Sequence, residues 1–525
     1  MTTLFYLYCF IDLYLYHRSI FIDFKKAFNF VNHNILFYQL IKSGISGRFF
    51  SLIRNMYSKI KGVVKVNNCL YNIIKDECGT NQGGPLSPNM FRYMLNDLKQ
   101  FLTIFNGVCI GDDVLLHLLW ADDLVIMSDS PEGLQKQLDG LYNFCSNYQM
   151  IVNELKTKVM IFGKKNKKTE ECVFNFNNKS LDIVKEYKYL GVIFNTVSTS
   201  RGNIFNNMRS YIAQKASRAY FCNFQKVTSI GQLTPRVYLH LFDSYVNPVL
   251  SYASELWCDT KEIHCVERIQ LRFLKYLLCV KDSTCSFAVW GETGRYPIYI
   301  HHMFKLVKYW SRVVCLDQNT LVRKSYNKLK SLAIMGYNTW PNKIKTVLSL
   351  VGLDDYWYHE KVDDVFVKNV KVAIFDYFEN LCQKQVLSYP ILRLYRVFKP
   401  VFGLESYIVQ IKDPKLRRLV SKFRLSSHSF NIEKGRHVRP KIPIDERLCT
   451  RCNQQSIEDE VHVLLYCSDY QELRVHLFAK IITSHIDNVL HDDPLICFNN
   501  IMLCENDTVQ FGLAKFLLKV HKIRS

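Results

Sequence analysis

The 525-residue chain has little glycine or proline: 21 Gly and 13 Pro are dispersed through it, and none gather into a linker between about 200 and 440. A collagen-like chain is therefore excluded. A hydrophobic share of 48% beside 22% charged residues excludes a disordered one. No repeat period is present, which removes solenoids and propellers. Long apolar runs are also lacking. The apolar N-terminal stretch, residues 4–16, is 13 residues long and carries Asp12, whereas a bilayer span needs about 18 or more. Neither a basic start nor a small-residue cleavage site accompanies it, so we expect no membrane insertion and no secretion.

Negative charge is scarce as well. Asp+Glu number 47 against 68 Lys+Arg, a net of +21. That balance argues against an acidic protein substrate and for a polyanionic partner. The excess is steepest at 412–451, with 12 Lys+Arg against 4 Asp+Glu. Eighteen cysteines are present, but Cys9, Cys109, Cys145 and Cys222 sit within apolar runs, as expected of reduced intracellular thiols.

The hydrophobic pattern of 19–195 mixes short strands with helices and predicts an α+β fold. A strand is expected over Ser19–Phe24, helices near 33–42 and 47–61, and a hairpin whose turn is Asn67-Asn68. Ser87-Pro88 and Ser130-Pro131 each read as an N-cap followed by a first-turn proline. The first helix presents Phe91, Leu95, Leu98 and Leu102, and the second Leu134, Leu138, Leu141, Cys145 and Tyr148. Strands at 158–162, 172–176 and 187–194 follow. From about 200 to 440 the pattern is mainly helical.

The residues richest in chemistry are Asp23, at the end of the apolar Ile20-Phe21-Ile22, and Asp122-Asp123, between the apolar runs Leu115–Trp120 and Leu124–Met127. The second set reads as a hairpin with its acidic pair at the tip. If the two strands are neighbours, three carboxylates converge, and divalent cations relieve their repulsion. Asp-Asp is also ordinary turn chemistry, so the pair alone does not decide.

A second group is spaced for metal. Cys449-x2-Cys452 is followed by His462 and Cys467, three thiols and an imidazole at the intervals of a tetrahedral zinc site.

Five stretches occur in order: Phe21-Ile-Asp23-Phe-Lys-Lys-Ala-Phe28; Asn81-Gln82-Gly83-Gly-Pro85-Leu-Ser87-Pro88; Trp120-Ala-Asp122-Asp123; Asn153-Glu-Leu-Lys156-Thr157; and Tyr189-Leu190-Gly191. In this order and spacing the chain resembles the reverse transcriptase of non-long-terminal-repeat (LINE-type) retrotransposons. The resemblance continues through Tyr252-Ala-Ser-Glu255-Leu-Trp257, Leu425-Ser-Ser-His428 and Glu433-Lys-Gly-Arg436 to the cysteine group. It implies a right-hand polymerase palm, an antiparallel sheet with flanking helices, then a helical thumb and a helical C-terminal region with a small zinc knuckle. The corresponding divisions are an atypical segment at 1–18, palm at 19–195, thumb-like helices at 196–280, a helical region at 281–440, the Cys-Cys-His-Cys knuckle at 441–475 and tail helices at 476–525.

The resemblance also implies an RNA-directed DNA polymerase with two Mg²⁺, an RNA template, a DNA primer or target and dNTPs. Asp23, Asp122 and Asp123 would hold the magnesium ions. Phe28 would pack under the incoming sugar and exclude a ribose 2′-OH. Gln82 and Gly83 would contact nucleotide and template. Lys156 would stand near the pyrophosphate, and Tyr189, Leu190 and Gly191 would grip the primer. Cys449, Cys452, His462 and Cys467 would hold Zn²⁺, as in the similar element of LINE-type proteins. Nuclear residence with a cytoplasmic ribonucleoprotein stage is the matching expectation.

Three departures from the family pattern stand out. Asn29 replaces the usual aspartate, Trp120 the usual tyrosine, and only 22 residues precede Asp23, too few for the fingers. An N-terminally truncated polymerase is therefore expected. The alternative is an inactive remnant that binds nucleic acid through its basic surface and zinc knuckle.

Overall fold

The computed structural model describes residues 2–13, 16–58, 61–67, 69–75, 78–80, 84–102, 107–110, 113–163, 172–196, 204–230, 233–258, 264–486 and 489–524. The chain divides into two compact units, Met1–Met208 with Trp310–Lys345, and Arg209–Tyr309 with Thr346–Ser525.

The first unit is built on a five-stranded sheet of β1 (Tyr16–Ile22), β2 (His117–Trp120), β3 (Asp123–Ser128), β4 (Lys158–Gly163) and β5 (Asp182–Ile183), in the order β5-β4-β1-β3-β2. The sheet is mixed rather than wholly antiparallel, because β5 joins β4 in parallel, Asp182 opposite Lys158. Alternation assigns the faces. Ile20 and Ile22 of β1, Leu124 and Ile126 of β3 and Val159 of β4 point into one apolar core. That core is closed by the helices His33–Lys42, Ser87–Met94 and Pro131–Tyr148.

The Pro131–Tyr148 helix forms as its sequence predicts. Ser130 Oγ accepts the Gly133 N–H at 3.1 Å, and the stripe from Leu134 to Tyr148 is buried. The Ser87-Pro88 start differs. Ser87 lies inside the helix, its side chain hydrogen-bonds Tyr57, and no side-chain cap is made. The helix stops at Met94 instead of running to Leu102. Buried Asp97 explains the stop. Its Oδ2 accepts from Lys42 Nζ and Tyr148 OH at 2.7 Å and Gln39 Nε2 at 2.8 Å, bonds that pin a turn there. Burial alone would raise the Asp97 carboxyl, but these three donors hold it below the usual carboxylate range.

Hairpins replace two expected strands. Of 172–176 only Asn175–Phe176 is extended, paired with Lys179–Ser180 across Asn177-Asn178, both left-handed. The stretch 187–194 is β6 (Glu186–Tyr189) and β7 (Val192–Asn195) around a tight turn. The hairpin at Asn67 forms between Lys61–Val66 and Cys69–Lys75; Asn68 lies outside the described residues. At the N-terminus Thr2–Leu13 is a helix, with Phe5 buried and its ring edge-on to Trp340 at 4.8 Å. Among the described residues no helix is long and apolar enough to cross a membrane.

The second unit is mainly helical. Its interior holds an ion network in which Arg424, about 1% exposed, pairs with Glu292 and Glu405 and donates to the Met502 carbonyl at 2.6 Å. Removing one member strands the rest, which costs about 3–5 kcal/mol. Arg424→Met is therefore expected to destabilise this unit by about that amount in urea titration. Adding Glu292→Met should restore part of the loss, because the buried carboxylate goes with it.

Candidate active site and zinc cluster

Strand register brings the acidic residues together. Ile22 of β1 pairs with Leu124 of β3, so the next residue along each strand sets Asp23 opposite Asp123. Trp120 and Asp123 close the β2–β3 hairpin, leaving Ala121-Asp122 as its turn. Ala121 has φ +54, a strained conformation for a residue with a Cβ. Asp122 thus occupies the tip, beside the Asp23–Asp123 pair.

The electrostatics agree with this placement. Partial desolvation, then the charges of Asp122 and Asp23, push the Asp123 carboxyl above its ordinary value. Three like charges met by a single exposed lysine leave room for a cation. Even so, among the described residues the only tight group of three or more candidate metal ligands is the cysteine–histidine group, not the three aspartates.

The backbone of Asp23 is clamped by the stretch that follows the Pro131–Tyr148 helix. Asn153 N–H donates to the Asp23 carbonyl at 2.7 Å, and Asp23 N–H donates to Thr157 Oγ1 at 3.2 Å. Lys156, exposed between them, places Nζ 3.7 Å from Asp23 Oδ2. As a water-exposed pair this contributes little stability, but it holds a cation at the edge of the acidic site.

Leu190 and Gly191, with φ +47 and +78, form the β6–β7 turn. Two consecutive left-handed residues match the twist of a two-residue hairpin. The Tyr189 hydroxyl donates to the Asp123 carbonyl at 3.4 Å, which ties this hairpin to the acidic strand. Tyr187, not among the residues that the motifs single out, also belongs to this site. Its ring stacks on Phe21 at 4.3 Å, and burial together with Asp123 and Asp23 pushes its hydroxyl up to about 12. Alternation within Glu186–Tyr189 puts 187 on the same face as 189, so its signal was there to be read.

Phe28 is half-buried, its ring 5.0 Å from Phe91, and its carbonyl accepts the Thr80 N–H at 2.7 Å. Gln82 and Gly83 lie outside the described residues. Trp120, at 57% exposure, points its indole to water rather than into the core. Asn29 is exposed too.

In the second unit Cys449, Cys452, His462 and Cys467 offer ligand atoms that all lie within 4.8 Å of one another, and all four residues are buried. Sγ of Cys449 and Cys467 are 3.9 Å apart, and Cys452 Sγ is 3.4 Å from His462 Nε2. Around a tetrahedral zinc those edges measure about 3.8 Å for S···S and about 3.6 Å for S···N, from Zn–S and Zn–N bonds of about 2.3 and 2.05 Å. The cluster therefore fits the ion. The backbone holds it in shape: Cys449 N–H donates to Ser456 O at 2.8 Å, His462 N–H to Asp459 Oδ1 at 2.8 Å, and Arg474 Nη2 to Cys467 O at 2.7 Å. Burial lowers the His462 imidazole, keeping it neutral as a ligand must be.

Comparison with known proteins accords with this geometry. The family described as reverse transcriptase (RNA-dependent DNA polymerase) matches residues 13–194. The RNA-directed DNA polymerase from mobile element jockey of Drosophila funebris is 27% identical over 289 residues, 52% of this chain and 30% of that protein. A putative transposon-derived protein of Caenorhabditis elegans is 31% identical over 162 residues, 30% of this chain and 53% of its own length. The Pol polyprotein from the type-1 retrotransposable element R2 of Nasonia vitripennis is 28% identical over 185 residues, 33% of this chain and 18% of that protein. The chain spans about half or less of the length of these relatives. The match to the reverse transcriptase family thus lies over the acidic sheet, at residues 13–194, and the chain is similar to proteins of the jockey and R2 elements.

Proposed function

We propose that the chain is an RNA-directed DNA polymerase that extends a primer 3′-hydroxyl on an RNA template by in-line attack on the α-phosphate of a dNTP. The observation that carries this reading is the strand register that sets Asp23 opposite Asp123 at the Ala121-Asp122 turn. A pair of Mg²⁺ held there by Asp23, Asp122 and Asp123 would supply activation of the attacking oxygen and neutralisation of the leaving one. The chain's own groups do the positioning. Thr157 and Asn153 fix the Asp23 backbone. Lys156 puts its charge where the departing pyrophosphate accumulates negative charge. The turn at Leu190-Gly191, anchored through Tyr189, supports the primer end close to the carboxylates. Gln82 and Gly83, outside the described residues, would by the resemblance contact the incoming nucleotide and template.

Primer extension tests the proposal: a DNA primer annealed to an RNA template, dNTPs and Mg²⁺ should yield elongated DNA. No elongation at any Mg²⁺ or Mn²⁺ concentration would overturn it. RNA binding that persisted without elongation would favour the inactive remnant, which the zinc cluster and the +21 charge also suit.

The sugar selector is tested separately. With Phe28 packed on Phe91, its ring forms a wall, and Phe28→Ala opens space for a 2′-hydroxyl. Incorporation of ribonucleotides relative to deoxynucleotides is expected to rise about ten- to a hundredfold, the range a steric contact of this size discriminates. Single-nucleotide incorporation kinetics with matched dNTP and rNTP pairs measure it.

A further inference from the structure

The second unit contains a cavity of about 480 Å³ that the palm chemistry does not use. Its rim is cationic. Lys415, Arg418 and Lys422 stand on one face of the helix Pro414–Arg424, and Lys281 faces them from the loop after the helix His264–Leu278. His521 and Arg524 close the rim from the C-terminal helix Asp507–Arg524. Among the described residues no aspartate or glutamate lines the cavity.

Most of this charge is uncompensated. Arg524 is tied to Glu458. By contrast, Lys281, Lys415, Arg418 and Lys422 have no ion-pair partner among the described residues. Burial and the neighbouring charges of Arg418 and Lys281 draw the Lys422 ammonium below its ordinary value, so the rim repels itself and gains from an anion. The cavity wall is held firm: Ser427 Oγ accepts the Lys281 N–H at 3.3 Å. The apolar lining, which we take as the floor, is different in kind: Leu419, Leu517, Leu518 and Val520 with the rings of Phe423 and Phe430.

A cationic rim over an apolar floor fits a ligand with phosphates at one edge and a flat, weakly polar body at the other. We propose that this cavity binds single-stranded nucleic acid, seating one splayed nucleotide on the apolar floor while flanking phosphates run along the Lys415–Arg418–Lys422 stripe. From Lys415 to Lys422 the stripe rises about 10 Å at 1.5 Å per residue, and its three long cationic side chains can each meet a backbone phosphate. The volume suits one nucleotide, and a duplex keeps its bases stacked inside and cannot enter. An acidic peptide would match the rim but leave the floor without a flat partner. This site lies outside the sheet unit, so it stands whether or not the chain polymerises.

The test is fluorescence anisotropy of a short labelled single-stranded RNA against the full chain, across a KCl series. In the variant Lys415→Gln/Arg418→Gln/Lys422→Gln, affinity should fall about tenfold or more. The slope of log K against log salt should lessen by about 2, three contacts at about 0.7 each. Lys361→Gln/Lys368→Gln/Lys384→Gln removes equal charge from exposed positions elsewhere in the unit and should leave both nearly unchanged. Leu518→Trp fills the floor without altering charge and should weaken the single strand severalfold. Equal losses in both triple variants would reduce the effect to net charge and overturn the site. So would undiminished binding in the first triple variant, undiminished binding in Leu518→Trp, equal affinity for blunt duplex RNA, or displacement of the RNA by an acidic peptide as effectively as by an unlabelled strand. Running the series in Asp122→Asn separates this site from the palm: RNA binding there should keep its dependence on the rim residues even where extension is lost.

Discussion

Asp122→Asn is expected to lower primer extension about a thousandfold while leaving the fold intact. Asp122 sits in the two-residue turn between β2 and β3, where asparagine satisfies turn chemistry as well as aspartate does. The substitution therefore removes charge and little else. Losing one well-placed electrostatic group at a reacting phosphate costs about 10²–10³ in rate, and more when the group also holds a metal. Single-turnover extension measures the loss, and a melting curve checks the fold. Asp123→Asn adds a second, opposite readout. Its carboxyl is pushed up by partial desolvation and by Asp122 and Asp23, so the ionised form is destabilising in the cation-free protein. Neutralising it should raise the melting temperature in EDTA while still abolishing extension. A variant that lost activity and stability together in EDTA would mean that these carboxylates are structural.

How much of this was legible beforehand depended on the range of the interaction. Local signals carried well. Ser130-Pro131 announces a helix, the stripe Leu134 to Tyr148 its buried face, and Asp122-Asp123 a hairpin, although its turn is Ala121-Asp122 and Asp123 already belongs to the strand; capping, period and turn chemistry act within a few residues. At the level of sequence the pairing of β1 with β3 is only a condition, since strands about 100 residues apart meet through register and not through any local rule. The failures share that cause. The helix from Ser87 stops at Met94 because Asp97 is gripped by Lys42, Gln39 and Tyr148, two of them more than 50 residues upstream and the third as far downstream. The single strand read at 187–194 is a hairpin because Leu190 tolerates a left-handed backbone that hydrophobic alternation conceals. Alternation sets Tyr187 on the face of Tyr189, but its stacking on Phe21 is a tertiary contact that no local rule gives. The apolar N-terminal run became intelligible only with Trp340 against Phe5.

The cysteine–histidine cluster yields the other large effect. Stripping zinc with a strong chelator, or replacing Cys449 with Ser, is expected to unfold the knuckle and destabilise the second unit by several kcal/mol. Structural zinc in isolated fingers contributes about 10–16 kcal/mol at neutral pH. Here the surrounding helices already supply a core, so part of the fold should survive. The segment around the cluster has little regular secondary structure. Between Leu448 and Ile457 the backbone pairs through an isolated bridge, and His462–Tyr466 forms a single wide helical turn. The zinc-free state is also electrostatically poor: burial and the neighbouring thiols push Cys467 up to about 12, so without an ion its thiol stays protonated. Damage should spread along one route. Glu458, within the cluster's loop, holds Arg524 of the C-terminal helix, so releasing the loop should free the end of that helix. Hydrogen exchange is the direct measurement. Amides of Cys449, His462 and Cys467 should lose protection on chelation, followed by the last turns before Arg524, while those of β1 and β3 in the sheet unit keep theirs. Metal analysis of the intact protein should give one zinc per chain, and less than a tenth of that in Cys449→Ser/Cys452→Ser. Protection that stayed constant through complete chelation would make the four residues an ordinary buried cluster.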